Sequence, residues 1–298
     1  MDVLKIASTG LKSFSTALET TSHNIANAQT DGYSRQRVDL RANTASISQG
    51  NATGKGVHVA SIQRISDEFA SDQVRSIGSE QQRLDTFHQL ATRIDGLVAE
   101  ENTSLTPAMQ QFFNSLEQLN TDPSSSANRG VVLSEGRNLV DRFNVMDQHL
   151  GRLNDEVNNH INNEVSAINS LSEGIAQLNL KIQSSTQGTQ APNDLLDQRN
   201  QLLEQLSGHV GIQTVTKPSG MVDVFTANGL TLVNTDKSYL LDVSSDPAQG
   251  NRLEVAYNGN IISQQLKGGS LTGALDFRRE MLDSVQNDLG KLATIVGA

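Results

Sequence analysis

One apolar row constrains this chain more than any other feature. Phe143, Leu150 and Val157 fall seven apart with Met146 and Leu153 alongside; after a jump of four the row continues through Ile161, Ile168, Ile175 and Ile182, flanked by Leu171 and Leu178. A seven-residue repeat is the seam of a helix packed on other helices, and a four-residue insertion is a stutter that unwinds the coil locally without breaking it. The pattern predicts one helix from about Ser126 to Gln183, roughly 58 residues and about 87 Å long. Such a length suits a shaft better than a compact enzyme. Gly130, Gly136, Gly151 and Gly174 lie inside it. Each weakens a helix by up to about 1 kcal/mol relative to Ala, so at least one bend or break is expected among them.

Shorter patterns precede the row. Leu4, Leu11, Leu18 and Ile25 fall seven apart, with Ala7, Phe14 and Ala28 at the intervening positions, a single stripe on an amphipathic helix. The stripe runs into Asn27, Thr30, Asp31 and Gly32, turn formers of which Gly32 is free to take positive φ. Val38–Leu40 and Val57–Ile62 read as short strands around a flexible loop at Gly50–Gly56. Helical period returns near Ser66, with Ala70, Ile77, Leu84, Ala91 and Val98 in one row and Phe87 and Ile94 beside it. Thr106 as N-cap and Pro107 in the first turn open the next helix. Its expected buried face is Met109, Phe112, Phe113, Leu116 and Leu119, and Asp122-Pro123 breaks it.

Beyond the long helix, residues 186–193 form a loop, and a short helix from Asn193 is buried through Leu195, Leu196, Leu202, Leu203 and Leu206 until Gly208 ends it. From Ile212 the texture is strand. The runs are Ile212–Val215, Met221–Thr226, Leu230–Val233, Tyr239–Val243, Leu253–Tyr257 and Ile261–Gln265, punctuated by turns that include Asp246-Pro247. The pairs Asn228-Gly229 and Asn258-Gly259 are hairpin signals. A last helix carries Leu275, Leu282, Leu289 and Val296 with Val285 and Leu292; Arg278 falls in its apolar row and asks for a partner carboxylate or the rim of a bundle. The fold class is therefore mainly α with a β insert. The segments are an N-terminal amphipathic helix and turn at 1–34, a β/loop linker at 35–65, an elongated helical bundle or coiled-coil domain at 66–210, a small all-β domain at 211–266, and a helix at 267–298 returning to the bundle. Intramolecular packing accounts for the rows in 66–296; the stripe at 4–28 has no obvious covering helix and reads as an intermolecular seam.

Composition closes off several function classes. Among 298 residues there is no Cys and no Trp, and aromatics make up 4%, so disulfides, thiolate metal sites and large aromatic-lined pockets are not expected. The net charge is −10 without a basic cluster, which gives no nucleic-acid footprint. No apolar run approaches membrane-spanning length, and the N-terminus lacks the pattern of a cleavable signal. The six histidines, at 23, 58, 88, 149, 160 and 209, show no metal-ligand spacing. Gly54-Lys-Gly56 lacks phosphate-loop spacing, and Asp242 with Asp246 lacks a full calcium-loop pattern. The Asn-x-Ser/Thr triplets at Asn51 and Asn102 read as chance. No catalytic, cofactor or metal residue is assigned, and an enzyme would rest on an unseen site in the β insert.

Three short stretches carry a resemblance. Asn24, Ala26, Asn27, Thr30, Gly32 and Tyr33 match the form NxANxxTxGY, which resembles the N-terminal signature of the flagellar axial proteins, the rod, hook and hook-associated proteins. Asp31 stands where that signature has Pro and keeps turn chemistry without the fixed φ. Residues 194–199, DLLDQR, resemble a DLLDQRD segment, with Asn200 where an acid is usual. Residues 268–278 resemble GGxLxGLLDFRD, with Ala274 for Leu and Arg279 for Asp. Signature, long helical domain and β insert together are similar to the hook-associated protein 1 family, the junction subunits between hook and filament.

That resemblance implies a structural subunit of the bacterial flagellum, self-assembling through its N-terminal helix and helical domain. The interface it implies comprises Leu4, Leu11, Phe14, Leu18, Ile25, Asn24, Asn27, Thr30, Gly32 and Tyr33. The implied partners are the hook protein, a second junction protein, copies of the chain itself and the export apparatus, with export by the flagellar type III pathway to an extracellular position. Nucleic acid and membrane insertion are not implied. In that family a C-terminal helix returns to pair with the N-terminal one; residues 1–298 offer none, which implies a truncated version. Two other readings stay open: a free-standing coiled-coil adaptor that captures a partner helix, and another axial protein of the rod or hook class. A lone helix of about 25 residues is marginal in water, so residues 1–35 are expected to be mobile in the isolated chain. Peptide-resolved hydrogen exchange checks this; strong protection there would count against it and favour the adaptor.

Overall fold

The heptad rows become helices and the Asn-Gly-rich texture becomes short antiparallel strands. The computed structural model describes residues 3–44, 46–48, 51–99, 104–185, 192–246 and 252–297. Outside these lie Gly50, Asn102, most of the expected loop at 186–193, Pro247, and the side chains of Asn51, Val98 and Asp246. The elements run α1 (Val3–Ala26), β1 (Gln36–Ala42), β2 (Ser46–Ser48), β3 (Asn51–Thr53), β4 (Val57–Arg64), α2 (Glu68–Ala99), α3 (Leu105–Thr121), α4 (Ser126–Ser185) and α5 (Asn193–His209). There follow β5 (Ile212–Thr216), β6 (Val222–Thr226), β7 (Thr231–Asn234), β8 (Lys237–Ser238), β9 (Asp242–Asp246), β10 (Arg252–Tyr257), β11 (Asn260–Ile261), α6 (Gly269–Phe277), a π-helical turn at Arg278–Leu282, and α7 (Asp283–Gly297). No helix is long and apolar enough to cross a membrane among the described residues.

The chain divides into two compact units, residues 1–78 with 168–240 and residues 79–167 with 241–298. In the first, α1 lies on the antiparallel β1–β4 pair. Its core draws on Ile168, Ile175 and Ile182 of α4, Leu203 and Leu206 of α5, and Val222, Val224, Leu232 and Val233 of the four-stranded sheet β5-β6-β7-β8, all buried. In the second, Leu90 and Ile94 of α2, Met146, Leu150, Val157 and Ile161 of α4, Val255 of the three-stranded sheet β11-β10-β9, and Leu271, Ala274 and Phe277 of α6 are buried. The Phe87 and Phe277 rings meet edge-on with centroids 6.3 Å apart.

The long row is where sequence and structure agree most closely. Leu150, Val157, Ile161, Ile168, Ile175 and Ile182 are all at most 1% exposed, so the row stays buried on both sides of the stutter at Val157–Ile161, while Phe143 at its start is only partly buried. α4 is continuous over its 60 residues, and the break expected among its glycines does not occur: burial of this seam outweighs a few glycine penalties of about 1 kcal/mol each.

Other rows are displaced. α2 buries Ser79, Thr86, Leu90 and Ile94, while Ile77 and Leu84 of the expected row are 59% and 51% exposed; the packing face keeps Ile94 from the expected flank and turns away from the Ile77–Leu84 row. α3 buries Ala108 and Ser115; of its expected face Met109, Phe112 and Leu119 are partly buried, while Phe113 and Leu116 are exposed. Its N-cap is Ser104 in extended conformation, placing Thr106 and Pro107 inside the first turn. Strands expected as one insert over 211–266 form two sheets, one in each unit. Tyr239–Leu241 and Ile262–Gln265 lie outside strands. The Asn258-Gly259 pair makes the expected two-residue turn, with φ of 50° and 79°, whereas Asn228-Gly229 sits in a longer connection between β6 and β7.

Arg278, the charge in an apolar row, is fully buried and has its carboxylate. Its guanidinium donates to Glu254 Oε1 (3.1 Å), the Leu253 carbonyl (2.6 Å) and Asn158 Oδ1 (3.3 Å). Burial, then the neighbouring Arg252, push its pKa down to about 10, against the pull of Glu254 and Asp283. One turn earlier Gly273 meets α2 so closely that a Cβ would overlap the Arg83 carbonyl oxygen and crowd Thr86. Gly273→Ala therefore sets a helix-propensity gain of up to about 1 kcal/mol against overpacking that costs about 1–3 kcal/mol. Urea unfolding should show a lower midpoint for the variant; an equal or higher midpoint would mean α2 and α6 have room to move apart.

Candidate assembly surface

α1 rests on its hairpin through the face that sequence reasoning treats as the outside. Ser13 and Thr20 are buried, and Ile6, Thr9, Thr16, Ala17 and Asn24 on the same face are partly so. The hydroxyls are satisfied largely by the helix itself: Thr9 Oγ1 donates to the Ile6 carbonyl (2.8 Å), Ser13 Oγ to Thr9 (2.9 Å) and Thr20 Oγ1 to Thr16 (2.9 Å). Short side chains let β4 come close enough for Ser13 Oγ to reach the Val57 carbonyl and for Val57 N to reach Thr9 Oγ1, both at 3.4 Å. The opposite face is the apolar stripe, and it is open. Leu4 is 83% exposed, Leu11 77%, Phe14 62%, Leu18 69% and Ile25 73%, with Val3 at 81%. Contiguous apolar surface on this scale marks an interaction site.

The polar residues of the signature do something different. Asn24 Nδ2 donates to the Gln36 carbonyl and Asn24 Oδ1 accepts from Gln36 N, both at 2.8 Å, so one side chain occupies both main-chain groups of the first residue of β1. The Tyr33 hydroxyl donates to the same Oδ1 (2.7 Å) and faces His23 Nδ1 at 3.0 Å. Burial, followed by the charges of Asp194 and Asp197, pushes the Tyr33 pKa up, which keeps it a donor. Asn27 Nδ2 returns to the His23 carbonyl (3.0 Å) and Thr30 Oγ1 reaches Asn27 Oδ1 (3.4 Å). Gly32 has φ of 74°, a conformation that favours glycine, and a Cβ there would displace the Gln201 side chain. Of the expected interface residues, the five large apolar ones face outward, while Asn24 and Tyr33 are engaged within the chain.

The turn is held by α5. Asp197 accepts from Ser34 N with Oδ2 (3.0 Å) and from Arg64 Nη1 with Oδ1 (2.9 Å), with both side chains only 10% exposed. Gln201 Nε2 donates to the Asp31 carbonyl (2.5 Å), Gln36 Nε2 reaches Asp194 Oδ1 (3.4 Å), and Asn193 Nδ2 donates to the Ile62 carbonyl (3.1 Å). Thus the signature at 24–33 and the segment at 194–199, some 160 residues apart in sequence, form one hydrogen-bonded node. Sequence reasoning noticed both stretches and did not join them. The available signal was Asp197, a carboxylate in a short helix whose Leu neighbours are buried. Asp197→Asn keeps the shape but leaves Arg64 buried without its counter-charge, which should lower the stability of the first unit by about 2–4 kcal/mol and speed proteolysis between residues 27 and 36. Asp194→Asn, whose contact is exposed, should cost under about 0.5 kcal/mol. Equal effects of the two changes would deny Asp197 its central place.

No cluster of three or more His, Asp or Glu that could hold a metal is present among the described residues. The arrangement offers an exposed apolar helix face fixed on a polar mount.

Comparison with known proteins agrees with that geometry. The family model for the "Flagellar hook-associated protein FlgK helical domain" matches residues 91–297, and that for "Flagella basal body rod protein" matches residues 4–33. The flagellar hook-associated protein 1 of Salmonella typhimurium is 36% identical over 296 residues, covering 96% of this chain and 53% of its own length. Its Escherichia coli counterpart is 33% identical, with 96% and 54% covered, and that of Bacillus subtilis 31% identical, with 76% and 46% covered. The chain thus spans about half the length of the curated relatives it matches. The structure of the flagellar hook junction protein FlgK from Burkholderia pseudomallei is similar with a TM-score of 0.70 at 28% identity, over 74% of this chain and 41% of that one.

Proposed function

Because the chain belongs to the flagellar hook-associated protein FlgK family, we propose that it is a structural subunit joining flagellar hook to filament, docking through the apolar stripe of α1. Its partners in this reading are copies of itself and neighbouring axial subunits, the hook protein and a second junction protein. In this reading it is exported and ends outside the cell. Family membership favours this reading over a free-standing coiled-coil adaptor.

The observation that carries the proposal is the exposed row Leu4, Leu11, Phe14, Leu18 and Ile25. Fully burying a large apolar side chain stabilises by about 1.5–3 kcal/mol, so the row can contribute on the order of 10 kcal/mol gross when covered. Association costs a comparable amount in lost rotational and translational freedom. A single pair of subunits would therefore gain little, whereas a growing end that covers the helix from several sides gains enough. This keeps free subunits apart and restricts docking to the polymer. Asn24, Tyr33 and Asp197 have the role of holding the helix in position for that step.

Replacing Leu11 and Leu18 together by Ser tests the idea. Both side chains are exposed, so the melting transition of the soluble chain should move by less than about 2 °C. Incorporation at hook ends, counted by immunogold labelling in cells lacking another copy, should be lost. Undiminished incorporation would refute docking through this stripe.

A further inference from the structure

We propose that the first unit binds a small tetrahedral oxyanion, phosphate or sulfate, in a cavity bordered by Arg64, Arg75 and Arg199. The cavity has a volume of about 200 Å³ and lies among the start of α2, α5 and the edge of β5–β6. That is several times the share of liquid volume of one water molecule, about 30 Å³. Thr216 and the amide of Asn200 also line it, while the Ser71 hydroxyl there already donates to the Asp67 carbonyl (2.8 Å).

Charge accounting singles out Arg199. Arg64 is matched by Asp197, and Arg75 by Asp72, which also accepts from Thr214. Arg199 is only 4% exposed. Its Nη1 donates to Asn179 Oδ1 (3.2 Å) and the Gly220 carbonyl (2.6 Å), both neutral, and its Nε has no partner. Among the described residues, no ion pair involves it. Burial, then the charge of Arg64, push its pKa down to about 10, with Glu68 as the opposing influence. Two exposed carboxylates, Glu68 and Asp72, also line the cavity; Asp72 pairs with Arg75, and neither pairs with Arg199 among the described residues. A buried cation without a counter-charge is costly, and an anion with several acceptor oxygens, placed against guanidinium and hydroxyl donors, relieves that cost. The second unit shows the contrast: its buried Arg278 has Glu254 within 3.1 Å.

The test compares sodium sulfate and sodium phosphate with sodium chloride at matched ionic strength on the full chain, by calorimetric titration and thermal melting. Arg199 itself braces Asn179 and Gly220, so its removal risks unfolding; Asn200→Asp instead places a carboxylate at the cavity. The unchanged chain should bind one anion saturably, and its melting transition should rise by roughly 5 °C at about 100 times the dissociation constant. Asn200→Asp should weaken anion binding by on the order of tenfold or more and melt higher than the parent in chloride. Sulfate also strengthens apolar burial generally, so an equal rise in both proteins, or no saturable heat in the parent, would overturn the site.

Discussion

Asp197 is the contact on which the arrangement of the first unit turns. A carboxylate that is 10% exposed must have its lone pairs and charge answered, and here one oxygen takes the Ser34 amide while the other takes Arg64. Those two partners come from the two ends of the β1–β4 hairpin system: Ser34 precedes β1 and Arg64 ends β4. A single side chain on α5 thereby fixes where the hairpin starts and where it stops. α1 rides on that hairpin, so its direction is set, through Asn24 and Gln36, by a residue far along the chain. Arg is suited to this position and Lys is not, because its planar fork can meet a carboxylate oxygen while keeping other donors for further partners.

The mount explains why α1 can be inside out. An amphipathic helix normally covers its apolar face first. Here Ser13, Thr9 and Asn24 meet backbone groups of the hairpin with hydroxyl and amide groups. The net contribution of each such bond is modest, about 0.5–1.5 kcal/mol. The helix is therefore placed without being strongly stabilised, and the larger apolar contribution stays available for a neighbour.

How much of this was legible follows from the kind of interaction involved. The α4 seam was readable because its period is strict and its members are large; the stripe of α1 was readable for the same reason, as was the need of Arg278 for a carboxylate. The packing faces of α2 and α3 were not, since Ser79, Thr86, Ala108 and Ser115 carry no hydrophobic signal. The division of the strand-rich segment between two units was also hidden. Antiparallel pairing is decided locally by turns such as Asn258-Gly259, while membership of one sheet or another depends on packing that the strand pattern does not encode. The Asn24–Asp197 node was half visible: each motif could be seen, but a polar contact across some 160 residues leaves no periodic trace.

The two buried arginines show how similar local sequences acquire different properties. Arg199 and Arg278 each end a short motif on a helix and each donate to a main-chain carbonyl beside a strand, Gly220 for one and Leu253 for the other. Each also takes an Asn side chain, Asn179 and Asn158. Asn179 goes further: it donates to the Val222 and Thr235 carbonyls and accepts from Val222 N, so it and Arg199 together stitch α4, α5 and the sheet. In both sites the guanidinium answers a main-chain carbonyl and an Asn side chain at once, a task that needs several donors in one plane. What separates them is a single acid. Glu254 lies on the strand next to Arg278 and pairs with it, whereas the acids that line the cavity beside Arg199, Glu68 and Asp72, are exposed and form no ion pair with it among the described residues. The first site is a closed structural cation; the second keeps its charge facing a cavity.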